Sequence, residues 1–246
     1  MTSQLQSHSP TELPLTTPER SLWNNLIDAL FPPHCGGCRA NGSLWCADCQ
    51  SKLAFIHEPM CAKCGEPNTP SRLCSKCRQH SLKIEFIRSV VIFQGTVRDA
   101  IHRFKYERLS SLAGPFGDLF AQYWITNNLQ ADWIVPVPLH SARQRDRGYN
   151  QSALLAKRLS DRTYTPAIEP ALKRIRITAV QMELDAAERR KNVAGAFECV
   201  DQRIKAKRVC MIDDVCTTGA TLDACAVALY QAGAASVFAL TLARTP

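Results

Sequence analysis

Four apolar residues in unbroken succession, Val209 to Ile212, lead directly into two acids, Asp213 and Asp214, and shortly afterwards into Thr217-Thr218-Gly219-Ala220-Thr221. A run with no polar interruption suits a strand covered on both faces, the situation inside a parallel sheet. The two carboxylates are expected to end that strand at the carboxyl edge of the sheet, where open α/β folds bind their ligands. Beyond them come three threonine hydroxyls, a glycine that accepts positive φ, and the unpaired N–H groups of a following apolar helix. Together these make a cradle for phosphate, and the fold expected is α/β, a parallel sheet flanked by helices.

Carboxylates repel phosphate but accept hydrogen bonds from hydroxyls, so acids and cradle together point to a sugar phosphate. The pattern resembles the motif with which type I phosphoribosyltransferases bind phosphoribosyl pyrophosphate (PRPP). The resemblance implies that Asp213 and Asp214 are the catalytic pair holding the ribose hydroxyls, and that Thr217, Thr218, Gly219, Ala220 and Thr221 anchor the 5′-phosphate. A Walker-B-like strand end followed by an N-capped helix would account for the acids, but not for the threonine-rich loop in the same register.

Of 12 cysteines, eight lie before residue 80 in four C-x-x-C knuckles: Cys35 with Cys38, Cys46 with Cys49, Cys61 with Cys64, and Cys74 with Cys77. Each knuckle lets two thiolates reach one tetrahedral ion, and eight thiolates suffice for two closed, structural zinc sites. Spacing leaves open whether neighbouring or interleaved knuckles share an ion. A thioredoxin-like redox role would require a βαβ context that is absent around them, and a disulfide scaffold would require an exported chain. The opening residues 1–20 have neither a basic start nor an apolar core segment, so they read as a disordered tail and the protein as cytoplasmic. No apolar run approaches a membrane span. Cys199, Cys210, Cys216 and Cys225 read as small core residues.

In chain order, Ser21 to Phe31 has the periodicity of an amphipathic helix stopped by Pro32 and Pro33. With the cysteine block it forms an expected module over residues 21–80, followed by a phosphoribosyltransferase-like domain over residues 84–246. A small cysteine module has little core of its own, so chelation is expected to unfold it and leave the sheet largely intact. Residues 84–93 read as a strand, and the segment after Gly95 as a helix ending in Phe104-Lys105-Tyr106, where Lys105 could meet a pyrophosphate ligand. Leu109 to Asn127 reads as a longer helix and Trp133 to Val137 as a second strand. Ser141 to Gly148 reads as a polar loop whose Arg143, Arg145 and Arg147 repel one another unless an anion lies between them. Gln151 to Leu159 is helical in pattern. The polar stretch within residues 172–197 suits a mobile segment, with Lys173, Arg174, Gln181, Arg189 and Asn192 as candidate contacts. A helix from Ala220 to Ala232 and a last strand from Ser236 complete the chain.

Charge adds one constraint. Residues 141–208 hold 16 basic and 8 acidic side chains, a surplus equal to the net +8 of the whole chain. Such a segment suits a polyphosphate or a nucleic acid, or simply a well-solvated basic face.

The four knuckles, Phe104-Lys105-Tyr106, the Val135-Pro136-Val137-Pro138-Leu139 strand end, Arg145 to Gln151 and the PRPP motif occur in one order that closely resembles the ComF family, also called GntX. The resemblance spans about residues 26–243. It implies a PRPP-binding protein of natural competence, DNA uptake or DNA utilisation, with Lys105, Arg143, Arg145 and Arg147 toward the pyrophosphate, Mg²⁺ accompanying PRPP, and two structural zinc ions. Partners implied are single-stranded DNA and competence or DNA-processing proteins, with the acceptor of any ribosyl transfer left open. The other reading is a non-catalytic zinc-dependent adaptor with PRPP as a regulatory ligand.

Overall fold

The computed structural model describes residues 32–176 and 186–246, so the expected tail, the helix at Ser21–Phe31 and Gln181 lie outside the described residues. Two short helices, α1 (Ala47–Ser51) and α2 (Ser75–Gln79), begin at the second cysteine pair of each half of the knuckle block. The body then runs β1 (Ile87–Ile92), α3 (Gly95–Tyr106), α4 (Ala113–Thr126), β2 (Trp133–Pro136), α5 (Ser141–Arg147) and α6 (Gln151–Thr163). After β3 (Leu172–Arg174), α7 (Ala186–Val193) and β4 (Phe197–Cys199) come β5 (Arg208–Cys216), α8 (Ala220–Gln231) and β6 (Ser236–Arg244). The expected parallel sheet is present: four strands in the order β1-β6-β5-β2, every pairing parallel. β3 and β4 form a separate antiparallel pair beside it. Among the described residues no helix is long and apolar enough to cross a membrane.

Both faces of the sheet are covered, as the unbroken apolar run requires. Alternation along β5 sends Cys210 and Ile212 into one core with Phe104, Phe116 and Leu155, and sends Val209 and Met211 into another with Cys225 and Leu229 of α8. α3 repeats its apolar residues at Val97, Ala100, Ile101 and Phe104, the spacing of one helical face. Fully burying a side chain such as Phe104 or Phe116 is worth about 1.5–3 kcal/mol, so this layer is held chiefly by side-chain burial.

Two elements differ from expectation. β5 does not end at its acids: it continues to Cys216, with Asp213 opposite Thr241 and Val215 opposite Ala243, because the nine-residue β6 supplies backbone partners beyond the apolar run. The arginine segment is a helix and not a loop. α5 is capped at its start by His140 Nδ1, which accepts from the Ala142 N–H at 3.2 Å, and at its end by Gly148 in the left-handed region. None of its residues is buried, so no apolar stripe marks it in the sequence.

The cysteine module is built into the body. Cys35, Cys49 and Trp45 join the core beneath α3 and α4, while Cys61, Cys64, Cys74 and Cys77 join the core on the α8 side. Between the two halves, Phe55 bridges antiparallel to Val91, with the Ile56 N–H donating to the Val90 carbonyl and the Ile92 N–H to that of Ala54. The module thereby straddles the sheet and covers the edge of β1, which would otherwise present unpaired backbone groups.

Candidate functional site

Neighbouring knuckles share a centre. The sulfurs of Cys35, Cys38, Cys46 and Cys49 lie within 4.8 Å of one another, and so do those of Cys61, Cys64, Cys74 and Cys77. A tetrahedral zinc with bonds of ~2.3 Å separates its sulfurs by about 3.8 Å. Here Cys35 and Cys49 are 3.6 Å apart, Cys38 and Cys46 3.6 Å, and Cys64 and Cys74 3.7 Å, with no disulfide among them. Backbone N–H groups also donate to sulfur, from Cys46 to Cys35 at 3.4 Å and from Cys74 to Cys61 at 3.3 Å, as suits thiolate ligands. The donor set fits two closed structural zinc ions.

The second site is a cleft of about 610 Å³ at the carboxyl edge of β2 and β5. β5 carries Asp213 and Asp214 to its floor, and the turn into α8 brings Thr217, Gly219, Ala220 and Thr221 to one wall. Gly219 has φ +79°, and a Cβ there would stand 2.7 Å from Ile87 Cδ1, so glycine is required both for the turn and for the close approach. Thr218 is not part of the wall; its Oγ1 accepts from the Ala220 N–H at 3.4 Å and shapes the turn from within.

The acids are held differently. Asp214 is 6 % exposed and its Oδ1 lies 2.9 Å from Lys105 Nζ, so Lys105 reaches the cleft floor as partner of a carboxylate. Asp213 Oδ1 accepts from Ser152 Oγ at 2.8 Å and from the Asp214 N–H at 2.9 Å. Burial, and then the charge of Asp214, push Asp213 up to about 7, against the opposing effects of Lys105 and Ser152. A carboxyl so poised can release its proton when a cation or a hydroxyl-bearing ligand arrives.

The opposite wall is cationic. Arg143 and Arg147, four residues apart on α5, share the face toward the cleft, whereas Arg145 is exposed and lies outside it. Arg147 is fixed by Gln151 Oε1, which accepts from Nη1 at 3.0 Å, and by the Tyr106 ring, whose centroid is 4.9 Å from its guanidinium carbon. Arg174 of β3 completes this wall, and burial together with the nearby Arg143 charge lowers its pKa. Cations that disfavour one another's charge in a half-enclosed space suit an anion between them. Of the candidates in residues 172–197, Arg174 alone among the described residues lines this cleft; the Arg189 side chain lies outside the described residues.

Sequence reasoning missed Ser152 and Gln151. Both sit in the first turn of an ordinary amphipathic helix, and only the docking of α6 beside β5 turns them inward. The docking itself has a local cause: Asn150 caps α6 by accepting from the Ser152 N–H at 3.1 Å and donates from Nδ2 to the Val137 carbonyl at 3.1 Å, fastening the helix to the end of β2.

The family model of the double zinc ribbon domain matches residues 26–78. The DNA utilization protein YhgH of Escherichia coli O157:H7 is 34% identical over 224 residues, covering 87% of this chain and 98% of that protein. Competence protein ComFC of Bacillus subtilis is 28% identical over 81% of this chain and 84% of its own, and competence protein F of Haemophilus influenzae is 28% identical over 87% and 98%. Among solved structures, the glutamine PRPP amidotransferase of B. subtilis, complexed with ADP and GMP, aligns with 54% of this chain and 26% of its own at a TM-score of 0.38 and 24% identity. With a relative 34% identical along nearly its whole length, and with the knuckles, the paired acids and the threonine loop in one order, the chain belongs to the ComF family, that of the DNA utilization and competence proteins.

Proposed function

We propose that the cleft binds PRPP with Mg²⁺ and that the protein is of phosphoribosyltransferase type, acting in DNA uptake or DNA utilisation. One observation carries the reading: a single cleft places two carboxylates between a threonine-rich helix start and a wall of arginines. Those are the three chemistries of PRPP, with hydroxyls for the acids, the 5′-phosphate for the loop, and the pyrophosphate for Arg143, Arg147 and Arg174. α8 is 12 residues long, so its first N–H groups and dipole add to the loop's attraction for phosphate. Asp213 and Asp214 would offer hard oxygen donors to a magnesium ion accompanying the pyrophosphate, and that ion would neutralise charge on the departing group. The chain's own part is to hold the ribose through Asp213 and Asp214, with Ser152 orienting Asp213 and Lys105 balancing Asp214. The cationic wall stabilises charge as it develops on pyrophosphate. On this reading residues 84–246 are the phosphoribosyltransferase domain and the cysteine module is its structural foundation.

Calorimetry with PRPP and Mg²⁺ tests the site. Asp213→Asn combined with Asp214→Asn should weaken binding by about a hundredfold or more, the loss of roughly 1.5–3 kcal/mol for each of two charged hydrogen bonds. Wild-type affinity in the folded double variant would remove the reading. Release of pyrophosphate with candidate acceptors separates an enzyme from an adaptor that takes PRPP as a regulatory ligand. The YhgH and ComFC relatives are named for DNA utilization and competence, so DNA and competence proteins are the first acceptors or partners to try.

A further inference from the structure

Three contacts reach the threonine loop from the second four-cysteine centre. Arg244, the last residue of β6 and only 2 % exposed, donates from Nη1 to the Cys64 carbonyl at 2.9 Å and to Cys216 Sγ at 3.2 Å. Its Nε donates to Glu66 Oε2 at 3.1 Å, and its Nη2 reaches the same carboxylate. Cys64 belongs to the centre, Glu66 follows it by two residues, and Cys216 immediately precedes the loop. Next, the Lys63 carbonyl accepts from the Ile87 N–H at 2.8 Å, while the Ile87 side chain fills the space where a Gly219 Cβ would stand. Gly65 lets the knuckle approach this closely, because a Cβ on it would lie 2.7 Å from the Ile87 carbonyl oxygen. Lastly, Asp223 in the first turn of α8 accepts through Oδ1 from the N–H groups of Lys83 and Ile84, on the chain leaving Cys77. The loop is thus braced at its root, at its turn and at the helix that follows.

The first centre is tied elsewhere. Arg103 of α3 donates to the carbonyls of Gly36 and Gly37, and Thr96 donates to that of Cys49 at 3.5 Å, on the opposite face of the sheet.

We propose that Arg244 is a positioning residue through which metal at Cys61, Cys64, Cys74 and Cys77 sets the shape of residues 216–221, while metal at the first centre does not. The physical reason lies in burial. A buried guanidinium is tolerated only while its donors are paired, and here its partners are a knuckle carbonyl, the Cys64 sulfur at 3.7 Å, a carboxylate beside the knuckle and the thiol at the loop root. Without its ion the four sulfurs lose the link between them, and the knuckle backbone that carries this carbonyl and carboxylate is no longer held to one shape. Arg244 then loses its partners, and Cys216 and Gly219 lose the surface against which they turn. The inference rests on the reading of this loop as the 5′-phosphate site, and the test separates the two.

The experiment uses the full chain and reads zinc content, segment-resolved amide exchange, and ribose 5-phosphate affinity by calorimetry. In Arg244→Gln, two zinc ions should remain, exchange over residues 216–223 should speed by about tenfold or more, and exchange over 151–163 should be unchanged. Ribose 5-phosphate should bind about fivefold more weakly or worse. Arg244→Lys should restore these values only in part, since a point charge cannot span carbonyl, carboxylate and thiol at once. In Cys38→Ser combined with Cys46→Ser, which removes the first ion, loop exchange should stay within about twofold of wild type. Unchanged loop exchange in Arg244→Gln, or equal loosening by loss of the first ion, overturns the proposal. Should Arg244→Gln fail to fold, a chelator titration of the one-ion variant decides instead: loop exchange must rise with loss of the remaining ion before residues 151–163 open, and simultaneous opening overturns the proposal. Wild-type protein that ignores ribose 5-phosphate yet shows this exchange pattern would refute the sugar-phosphate reading and leave the brace standing.

Discussion

Asp213 concentrates the electrostatic conflict of the site. Its folded pKa of about 7 lies above the ~3.9 of an unfolded aspartate, so the folded state holds the proton more tightly. The stability this adds is full below about pH 4 and is lost as pH rises through about 7. Asp213→Asn removes the titration, so its thermal midpoint should overtake that of wild type with rising pH. At pH 8 the gain should reach about 2–4 °C, the effect of roughly 1 kcal/mol on a chain of this size. The same variant should bind PRPP more weakly, so stability and affinity move in opposite directions; loss of both in melting and calorimetry would mark Asp213 as structural. Gly219→Val should be harmful on both counts. Its positive φ costs a β-branched residue about 1–3 kcal/mol, and its side chain must displace Ile87. The expected result is a lower melting temperature together with lost ribose 5-phosphate binding.

Between residues and fold stand α5, a helix that its polar sequence disguises, and α6, a helix legible in the sequence whose inward-facing residues are not. Because α5 is helical, its arginines divide by angle: four residues of separation keep Arg143 and Arg147 on one face, and the intervening Arg145 points away. Inorganic pyrophosphate should therefore bind Arg143→Ala or Arg147→Ala about fivefold or more weakly than wild type, and Arg145→Ala within about twofold, at a stated salt concentration. Equal losses at all three positions would mean that only net charge matters. For α6 the decisive residue is Asn150. Asn150→Ala removes both the cap and the bond to Val137 and should cost about 1–2 kcal/mol, read as a lower urea midpoint at unchanged slope.

At the scale of the molecule, the cysteine module is part of the core. Its two centres pack on opposite faces of the sheet, and the chain between them covers the β1 edge. The expectation that the sheet would survive chelation therefore gives way to another. Removing both ions, expected at two per chain by metal analysis, should lower the melting temperature of the whole protein and promote association through β1, measured by light scattering. A monomeric sheet domain with unchanged exchange protection would refute this. Basic groups also remain for a nucleic-acid partner. Any binding of single-stranded DNA should weaken steeply with salt as counterions are released, and a titration at several salt concentrations gives the slope.

Some of this was decided by sequence alone. A four-residue apolar run can be covered only on both faces, paired acids followed by a threonine-glycine turn can serve only a few ligands, and two thiolates two residues apart can reach one ion wherever the chain carries them. Hence the parallel sheet, the residues of its loop and the eight metal ligands were legible from local spacing. Tertiary structure decided what spacing does not contain: that β6 prolongs β5 past its acids, that α5 turns Arg145 outward, that Ser152 meets Asp213, and that Arg244 reaches Cys64 across 180 positions of chain and ties it to Cys216. Each of these depends on a partner distant in sequence, and a residue's chemistry names the kinds of partner it can take without saying which one the packed core will bring to it.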